Sequence, residues 1–297
     1  MLALLIANKF IRTFGSRRSI FLCGFASLRA LLFFILLLSM HSGFCQFTFD
    51  RYHPKEIIKN QKVDTCKIFN KEKDKLILQQ EIIYLADGSE SEYIDISNEC
   101  STKYYYNKNG MKIAEYFIPF GGSFLEKDTL LYDEHGNKYR QIKYSKNGTE
   151  ASSSEYEYTG NKPVVEKYFS KGNLEMIYKN VYDSRNRLKK VKYILLKNAN
   201  GYCTYKYDKN NNFIQFKAIN VSGEVTLRQE YKYDKKNLRT ELDVYGLNNK
   251  LIQMYKTNYL ESGLIDSEEW FTGIKNENMN DSDHEIKIYQ YTYRQEK

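Results

Sequence analysis

The sequence predicts an all-β fold, built from tandem β-hairpin repeats of about 25 residues that form an extended, twisted antiparallel sheet or open solenoid. Three observations predict it. A tyrosine followed by a short polar turn recurs at a regular interval along the chain. A second turn signal lies near the middle of most intervals, and no stretch carries a helical hydrophobic period over three turns.

The recurring tyrosines, called anchor tyrosines below, are the first signal. They are separated by 22, 26, 26, 24, 25, 26 and 26 residues. Most are followed by Asp or Asn and then by Gly or Asn, residue types that favour tight turns through side-chain hydrogen bonds and the left-handed backbone conformation. The motif therefore predicts a strand that runs into a hairpin turn. The anchor tyrosines are Tyr84, Tyr106, Tyr132, Tyr158, Tyr182, Tyr207, Tyr233 and Tyr259.

The second signal is a turn pair between successive anchors. Asn-Gly and related pairs are strong hairpin signals because both residues tolerate a positive φ angle. Each repeat should then consist of two antiparallel strands and two turns, and the whole array should form a meander with two open edges. The predicted pairs are Asn147-Gly148, Lys171-Gly172, Asn200-Gly201, Ser222-Gly223 and Asn248-Asn249.

The first 45 residues predict export. Arg17, Arg18 and Arg29 precede an apolar run at 30–38, and small residues then lead to Cys45-Gln46, which is the order of a secretory signal peptide. An uncleaved membrane anchor over Ser19–Met40 is the alternative. The predicted organisation is a signal peptide or anchor at 1–45, an amino-terminal cap and degenerate first repeat at 46–83, hairpin repeats at 84–271 and a carboxy-terminal capping strand at 272–297.

Two cysteines after the signal segment are candidates for a disulfide bond. An oxidising compartment would permit a bridge between Cys66 and Cys100, which would leave Cys203 unpaired. The alternative is that all three are small buried residues without a bridge. The sequence leaves both interpretations open.

The repeats resemble a known family. The segments Tyr182-Asp-Ser-Arg-Asn-Arg-Leu188, Tyr205-Lys-Tyr-Asp208 and Tyr231-Lys-Tyr-Asp-Lys-Lys-Asn-Leu238 are similar to the YD repeat of bacterial RHS proteins, over about residues 84–271. The resemblance implies an extended, coiling β-sheet at or beyond the bacterial envelope. Because the chain is short and has repeats only, without a toxin domain, the toxin-enclosing role of large RHS proteins is not expected. A more distant likeness is to MORN-type repeats.

Charge and motifs exclude several functional classes. Of the net charge of +8, five positive charges lie in residues 1–45, and both signs are interspersed elsewhere, so no basic face predicts nucleic-acid binding. No catalytic, cofactor-binding or metal-binding motif is present. The histidines His53, His135 and His284 are interpreted as exposed turn or cap residues. Aspartates that follow the anchors are interpreted as turn-stabilising residues, because single acids spaced one repeat apart do not converge on a calcium ion.

The predicted function is that of an exported, non-enzymatic repeat scaffold for protein interaction at the bacterial cell envelope or surface. Two alternatives remain, a carbohydrate-binding envelope protein and an immunity or antitoxin-like partner. The partner would be an envelope protein or a polysaccharide, no cofactor is expected, and the membrane is involved only through an uncleaved amino-terminal segment. The protein would reside in the periplasm, at the outer membrane surface or outside the cell. The aromatic residues that could either bind a ligand or form packing ladders are Tyr132, Tyr158, Tyr182, Tyr207, Tyr233 and Tyr259.

Overall fold

A computed structural model describes residues 55–122, 125–195, 200–272 and 283–295. All of them belong to the second of two structural units, residues 51–297. The predicted signal segment, His53 and residues 273–282 within the predicted carboxy-terminal cap lie outside the described residues. One short helix, α1 (Lys55–Asn60), precedes the strands, and no helix in the described part of the chain is long and apolar enough to cross a membrane.

The described residues form 18 strands in a single antiparallel sheet. Each strand pairs with the strands before and after it in the chain, so the meander predicted from the turn signals is present. The strands are β1 (Val63–Glu72), β2 (Lys75–Tyr84), β3 (Glu90–Asp95), β4 (Cys100–Tyr106), β5 (Lys112–Pro119), β6 (Glu126–Tyr132), β7 (Lys138–Ser145), β8 (Glu150–Thr159), β9 (Lys162–Ser170), β10 (Asn173–Tyr182), β11 (Leu188–Leu195), β12 (Asn200–Tyr207), β13 (Phe213–Ile219), β14 (Val225–Tyr233), β15 (Arg239–Tyr245), β16 (Leu251–Tyr259), β17 (Ile265–Thr272) and β18 (Asp283–Tyr293).

The sheet closes on itself, and the predicted open sheet or solenoid is therefore wrong. Strand β1 pairs with β2 on one side and with β18 on the other, in a register that runs from Val63 opposite Tyr293 to Asn70 opposite Lys287. Closure satisfies the backbone groups of both terminal strands, which an open sheet would leave as exposed edges. The result is an up-and-down barrel of 18 strands, so no open edge remains for a partner strand to join.

The two ends of the barrel differ. All turns that follow an anchor tyrosine lie at one end, called the anchor rim, because every even-numbered strand runs towards it. The alternate turns lie at the opposite end, called the distal rim. Four of the five predicted midway turns are at the distal rim with positive φ angles, for example Gly148 at +77° and Gly223 at +83°.

The fifth predicted turn is wrong. Asn200 and Gly201 are the first two residues of β12, and the connection from β11 precedes them. Gly201 lies opposite Tyr193 in the ladder, and a Cβ atom there would lie 2.2 Å from the Tyr193 Oη atom. The glycine leaves room for an aromatic ring to lie across the neighbouring strand, so it serves packing and not a turn.

Side chains alternate between an inner and an outer face. Tyr178, Tyr193 and Tyr205 are at most 6% exposed, whereas Lys179 and Lys192 on the opposite face of the same strands are exposed. Because a closed sheet has an inside and an outside, we assign the more buried face to the inside. The anchor tyrosines lie on this inner face, at the anchor rim.

Helix α1 packs at the anchor rim where the barrel closes. A Cβ atom on Gly88, in the β2–β3 turn, would lie 2.3 Å from the Lys55 carbonyl oxygen, so only glycine permits the approach of the helix. The Lys55 ammonium also pairs with Asp87 at 2.8 Å. The helix contributes Ile58 to a buried cluster of apolar side chains on the strands next to the closure, which comprises Ile58, Val63, Cys66, Ile68, Ile82, Tyr84, Leu264, Ile265 and Tyr289.

Candidate functional site

The anchor tyrosines hold successive turns together. The Tyr132 hydroxyl donates a hydrogen bond of 2.7 Å to the Lys112 carbonyl oxygen, at the start of the preceding strand. The same bond recurs in each following repeat, where the acceptor is the first or second residue of the preceding strand. The further pairs are Tyr158 to Lys138, Tyr182 to Pro163, Tyr207 to Leu188, Tyr233 to Phe213 and Tyr259 to Arg239, at 2.7 to 3.1 Å.

These bonds limit what the six predicted tyrosines can offer to a ligand. All six side chains are half-buried, and each hydroxyl is already bonded to the backbone. Burial raises the pKa of Tyr132 and of Tyr182, so both hydroxyls stay protonated and act as donors. Stacking of a sugar ring requires an uncovered aromatic face. The row acts as a ladder that joins one repeat to the next.

The residue after the anchor forms the turn. The Asp208 carboxylate accepts backbone N–H bonds of 2.8 Å from Asn210 and from Asn212, and Asp133, Asp183 and Asp234 do the same in their own turns. A hydrogen bond from the Asn137 side chain lowers the pKa of Asp133. Each carboxylate is used within its own turn, as the sequence predicts for these aspartates. Among the described residues, no three His, Cys, Asp or Glu side chains converge on a metal site.

The predicted cysteine pair is not brought together. Cys66 lies on β1 and Cys100 on β4, with β2 and β3 between them. Three strand spacings of about 4.8 Å separate the two, whereas a disulfide needs Cα atoms within about 7 Å. Cys66, Cys100 and Cys203 are buried and form no disulfide bond, so the bridge that the sequence permitted is not formed.

Of the histidines, the two described ones lie apart. His135 is exposed in the β6–β7 turn, with its Nε2 atom 3.6 Å from Glu134. His284 stacks on Phe271 at a centroid distance of 4.3 Å, on the outer face of β18. Among the described residues, neither histidine side chain is hydrogen-bonded to a serine or cysteine.

A charged cluster lines the inner face over β6–β9, and no motif in the sequence marks it. The Lys138 ammonium donates a 3.0 Å hydrogen bond to Gln141, and the Gln141 amide donates one of 2.9 Å to Asp128. The same ammonium lies 4.5 Å from the centre of the Tyr156 ring, and Tyr156 is opposite Glu166 in the β8–β9 ladder. We call these five residues the luminal cluster.

The luminal cluster contains groups with shifted pKa values. Burial raises the pKa of Glu166, which is 3% exposed, to about 7. Burial also raises the pKa of Asp128 and lowers that of Lys138. Glu166 is therefore protonated or ionised according to pH near neutrality. Such shifts occur at functional sites and in structural networks alike, and here the partners are other wall residues. Period-two alternation could have placed Glu166 on the inner face, but only the ladder brings it beside Tyr156.

Comparisons with known proteins give similarity in fold at low identity. No protein family model matches the chain, and no curated protein matches it. The chain is 11% identical to a porin-like protein from Bacteroides uniformis, over 77% of this chain and 98% of that one, with a TM-score of 0.45. It is 13% identical to a porin-like protein from Bacteroides vulgatus, over 78% and 99%, with a TM-score of 0.29.

The closed sheet bears on the family resemblance. The resemblance to RHS/YD repeats implied an extended, coiling sheet, whereas the sheet of this chain closes into a barrel between β1 and β18. The likeness to RHS/YD repeats, and the more distant one to MORN repeats, is therefore wrong. Short turn motifs of the kind Tyr-Asp-x-x-Asn report local hairpins, and hairpins of this kind occur in closed and open sheets alike.

The outer face of the barrel carries charge along its strands. Exposed lysines and acids alternate with the buried inner row, and several form pairs, such as Arg140 with Glu150 at 3.4 Å. A lipid-facing barrel has an apolar outer band about 25 Å tall, and a lysine at its centre costs about 2–4 kcal/mol. On the described strands this face instead carries charged side chains at intervals along its length. Its exposed charged residues include Lys103, Glu157, Lys179, Lys192, Lys206 and Lys232.

The distal rim exposes apolar side chains at its turns. Val221 in the β13–β14 turn is 75% exposed, Leu247 in the β15–β16 turn is 54% exposed, and Phe120 after β5 is 50% exposed. The turns of Val221 and Leu247 belong to adjacent hairpins. Turns at the anchor rim have mostly polar tips, such as Lys209-Asn210 and Lys235-Lys236, but Leu85 and Leu260 there are 40% and 39% exposed. The two rims therefore differ in how strongly they expose apolar side chains, and Val221 and Leu247 at the distal rim are the most exposed.

Proposed function

We propose that the protein is an exported, non-enzymatic β-barrel that binds a partner protein of the bacterial cell envelope through its distal rim. The observation that carries the proposal is the exposure of Val221 and Leu247 on neighbouring turns of one rim. Single exposed apolar residues are ordinary, but adjacent ones on a defined edge are typical of protein contact sites. Phe120 extends the apolar character to a third turn of the same rim.

The closed barrel supports contact through side chains. An open sheet could bind a partner by adding a strand at its edge, but closure between β1 and β18 leaves no such edge. The charged outer wall favours water, and the anchor tyrosines are bonded to the backbone. The turns at the distal rim carry Val221 and Leu247, the two most exposed large apolar side chains among the described residues, and a partner would bury them.

Two further features support the remaining parts of the proposal. The sequence carries no catalytic motif, and no three His, Cys, Asp or Glu side chains of the described residues converge on a metal site, which supports the non-enzymatic part of the proposal. The order of basic, apolar and small residues before Cys45-Gln46 favours export. Export is tested by fractionating cells that produce the full chain with a carboxy-terminal tag. A tagged protein that remains in the cytoplasm at full length would contradict it.

Site-specific photo-crosslinking tests the partner surface. A photoreactive amino acid is placed at Val221 or Leu247, and at Lys209 on the anchor rim as the matched control. Irradiation of intact cells should link one and the same envelope protein to the two distal positions and not to the control. When the photoreactive amino acid is placed at Phe120 instead, the double substitution Val221→Asp and Leu247→Asp should abolish crosslinking to the same envelope protein. Equal crosslinking from both rims, or none from either distal position, would contradict the proposal.

A carbohydrate-binding role through the anchor tyrosines is not supported by this geometry. Their rings are half-buried and their hydroxyl groups are engaged, so the row lacks a free stacking surface. The inner wall near the barrel closure carries a different arrangement of aromatic and polar side chains.

A further inference from the structure

A patch of aromatic and polar side chains lies on the inner face of β16, β17, β18 and β1. In the ladder Tyr255 is opposite Trp270, Glu268 is opposite Lys287, and Lys287 is opposite Asn70. Residues directly opposite each other in a sheet share a face, so these side chains lie side by side. The same face carries Cys66 and Ile68 of the buried cluster. We call Asn70, Tyr255, Trp270 and Lys287 the inner patch.

Two polar atoms of the inner patch are buried without a hydrogen-bond partner among the described residues. They are the Nε1 atom of Trp270, a donor, and the Oδ1 atom of Asn70, an acceptor. Buried polar groups in folded proteins are nearly always bonded, and each exception calls for an explanation such as a ligand or a water molecule. Here one orphan donor and one orphan acceptor lie two strands apart on one wall.

The side chains around these atoms are held in place. The Trp270 ring stacks on Tyr255 with a centroid distance of 5.5 Å and an interplanar angle of 14°. The Lys287 ammonium lies 5.7 Å from the centre of the same indole. Neighbouring Glu268 accepts a hydrogen bond from the Tyr289 hydroxyl. In this arrangement Trp270 Nε1 finds no hydrogen-bond acceptor among the described residues.

The patch remains in contact with solvent. All four side chains are half-buried, in contrast to Ile68 on the same wall, which is 1% exposed. They lie in the halves of their strands that face the distal rim, away from the core that α1 completes. Barrels of 16 to 18 strands are wide enough to enclose water. A ligand inside the barrel would meet the exposed parts of these side chains first, and a local shift of the indole and of the Asn70 amide would bring the two orphan atoms within its reach.

We propose that the inner patch binds a neutral, hydroxyl-rich ligand, namely a saccharide. Its hydroxyl oxygen accepts a hydrogen bond from Trp270 Nε1, and a second hydroxyl donates one to Asn70 Oδ1. An apolar ligand would leave both atoms unbonded, and an anion would face Glu268 and Glu285 on the same wall. This site is independent of the proposed protein partner at the distal rim, so either proposal can fail without the other.

Trp270 reports on the site directly because it is the one tryptophan in the sequence. The full chain is titrated with maltotriose, cellotriose or mannotriose while the tryptophan fluorescence is followed. At least one of the three should give a saturable change in intensity or wavelength. Triethylene glycol dimethyl ether, which accepts hydrogen bonds but has no hydroxyl to donate, should give none. Failure of all three sugars, or an equal response to the ether, would overturn the proposal and leave ordered water as the partner of both atoms.

Variants separate a local effect from a general one. Asn70→Leu removes the acceptor and should weaken binding of the responding sugar about tenfold. Asn180→Leu is the matched control. Asn180 also faces inwards with a buried, unbonded Oδ1 atom, but it lies outside the inner patch and is only 9% exposed, so its loss should not affect sugar binding. Trp270→Phe, measured by calorimetry, should weaken binding to a similar extent as Asn70→Leu. Unchanged affinity in Asn70→Leu, or an equal loss in Asn180→Leu, would overturn the proposal. Circular dichroism verifies that each variant is folded.

Discussion

Replacement of Gly201 by alanine should destabilise the barrel through a single steric conflict. A Cβ atom at this position would lie 2.2 Å from Oη and 2.4 Å from Cζ of Tyr193, and 2.6 Å from the carbonyl oxygen of Ile219. Real Cβ atoms do not approach other heavy atoms so closely. Tyr193 is 6% exposed, so its ring has little room to move aside. The Ile219 oxygen belongs to the backbone of β13 and cannot rotate away.

The size of the effect follows from these contacts. Overpacking of a dense interior costs about 1–3 kcal/mol. Displacement of the Tyr193 ring would also break its hydrogen bond to the Ile219 carbonyl, worth about 1 kcal/mol. Together Gly201→Ala should lower the free energy of unfolding by about 2–4 kcal/mol.

Denaturant unfolding followed by circular dichroism measures this change, and a double-mutant cycle assigns it. In a Tyr193→Leu background, Gly201→Ala should lower the free energy of unfolding by at least about 1 kcal/mol less than it does in the wild type. The clash with the Tyr193 ring is then absent, whereas the clash with the Ile219 carbonyl oxygen remains. Gly148→Ala is the control glycine. A Cβ atom there would meet nothing within 4 Å, and its cost, set by a φ of +77°, should be the same with or without Tyr193. A loss below about 0.5 kcal/mol for Gly201→Ala, or an identical loss in both backgrounds, would refute the reasoning.

Three other predictions concern the anchor row, the luminal cluster and the cysteines. Tyr233→Phe removes the hydroxyl that bonds to the backbone and should cost about 1 kcal/mol of unfolding free energy, whereas Tyr139→Phe, at an exposed ring, should be neutral. The pKa of Glu166 is about 7 in the folded state, above its unfolded value, so the folded state binds this proton more tightly. As the pH rises from 5 to 8, the free energy of unfolding of the wild type should therefore fall relative to that of Glu166→Gln, by on the order of 3 kcal/mol. Residues 46–297, denatured without reductant, should react with thiol reagents at Cys66 and Cys100, as mass spectrometry would show.

Each of these has an outcome that would contradict it. Equal costs for the two tyrosine variants would mean that the anchor hydroxyl contributes nothing beyond its ring. A constant difference between wild type and Glu166→Gln across the pH range would mean that this carboxyl keeps its ordinary pKa in the folded state. A peptide pair linked through Cys66 and Cys100 would mean that β1 and β4 approach each other.

The turn chemistry was open to prediction because it is local. Asp208 bonds to amides two and four residues ahead, and Gly223 adopts a positive φ within its own hairpin. The spacing of the anchor tyrosines likewise reports strand length, which nearby residues set. Gly201 shows where local inference fails. An Asn-Gly pair favours a turn, but here the glycine is needed by a ring on the neighbouring strand, and the sequence shows no sign of that contact.

The candidate sites were much less open to prediction. Glu166 and Lys138 carry no motif, and their shifted pKa values come from burial that the ladder creates. Asn70 and Lys287 are about 200 residues apart, and they meet only because β1 pairs with β18. No spacing rule could join them, since each lies outside the best copies of the repeat.

The sequence by itself determined that the chain is all-β, that it is a meander of hairpins about 25 residues apart, and where most of its turns lie. Only the tertiary structure decided that the sheet closes. A hairpin is specified by the few residues in its turn and the alternation on its strands, and every repeat contains that information. Closure depends on twist and stagger accumulated over 18 strands, which must bring Val63 opposite Tyr293. This pairing joins the two ends of the described chain, and no single repeat encodes it.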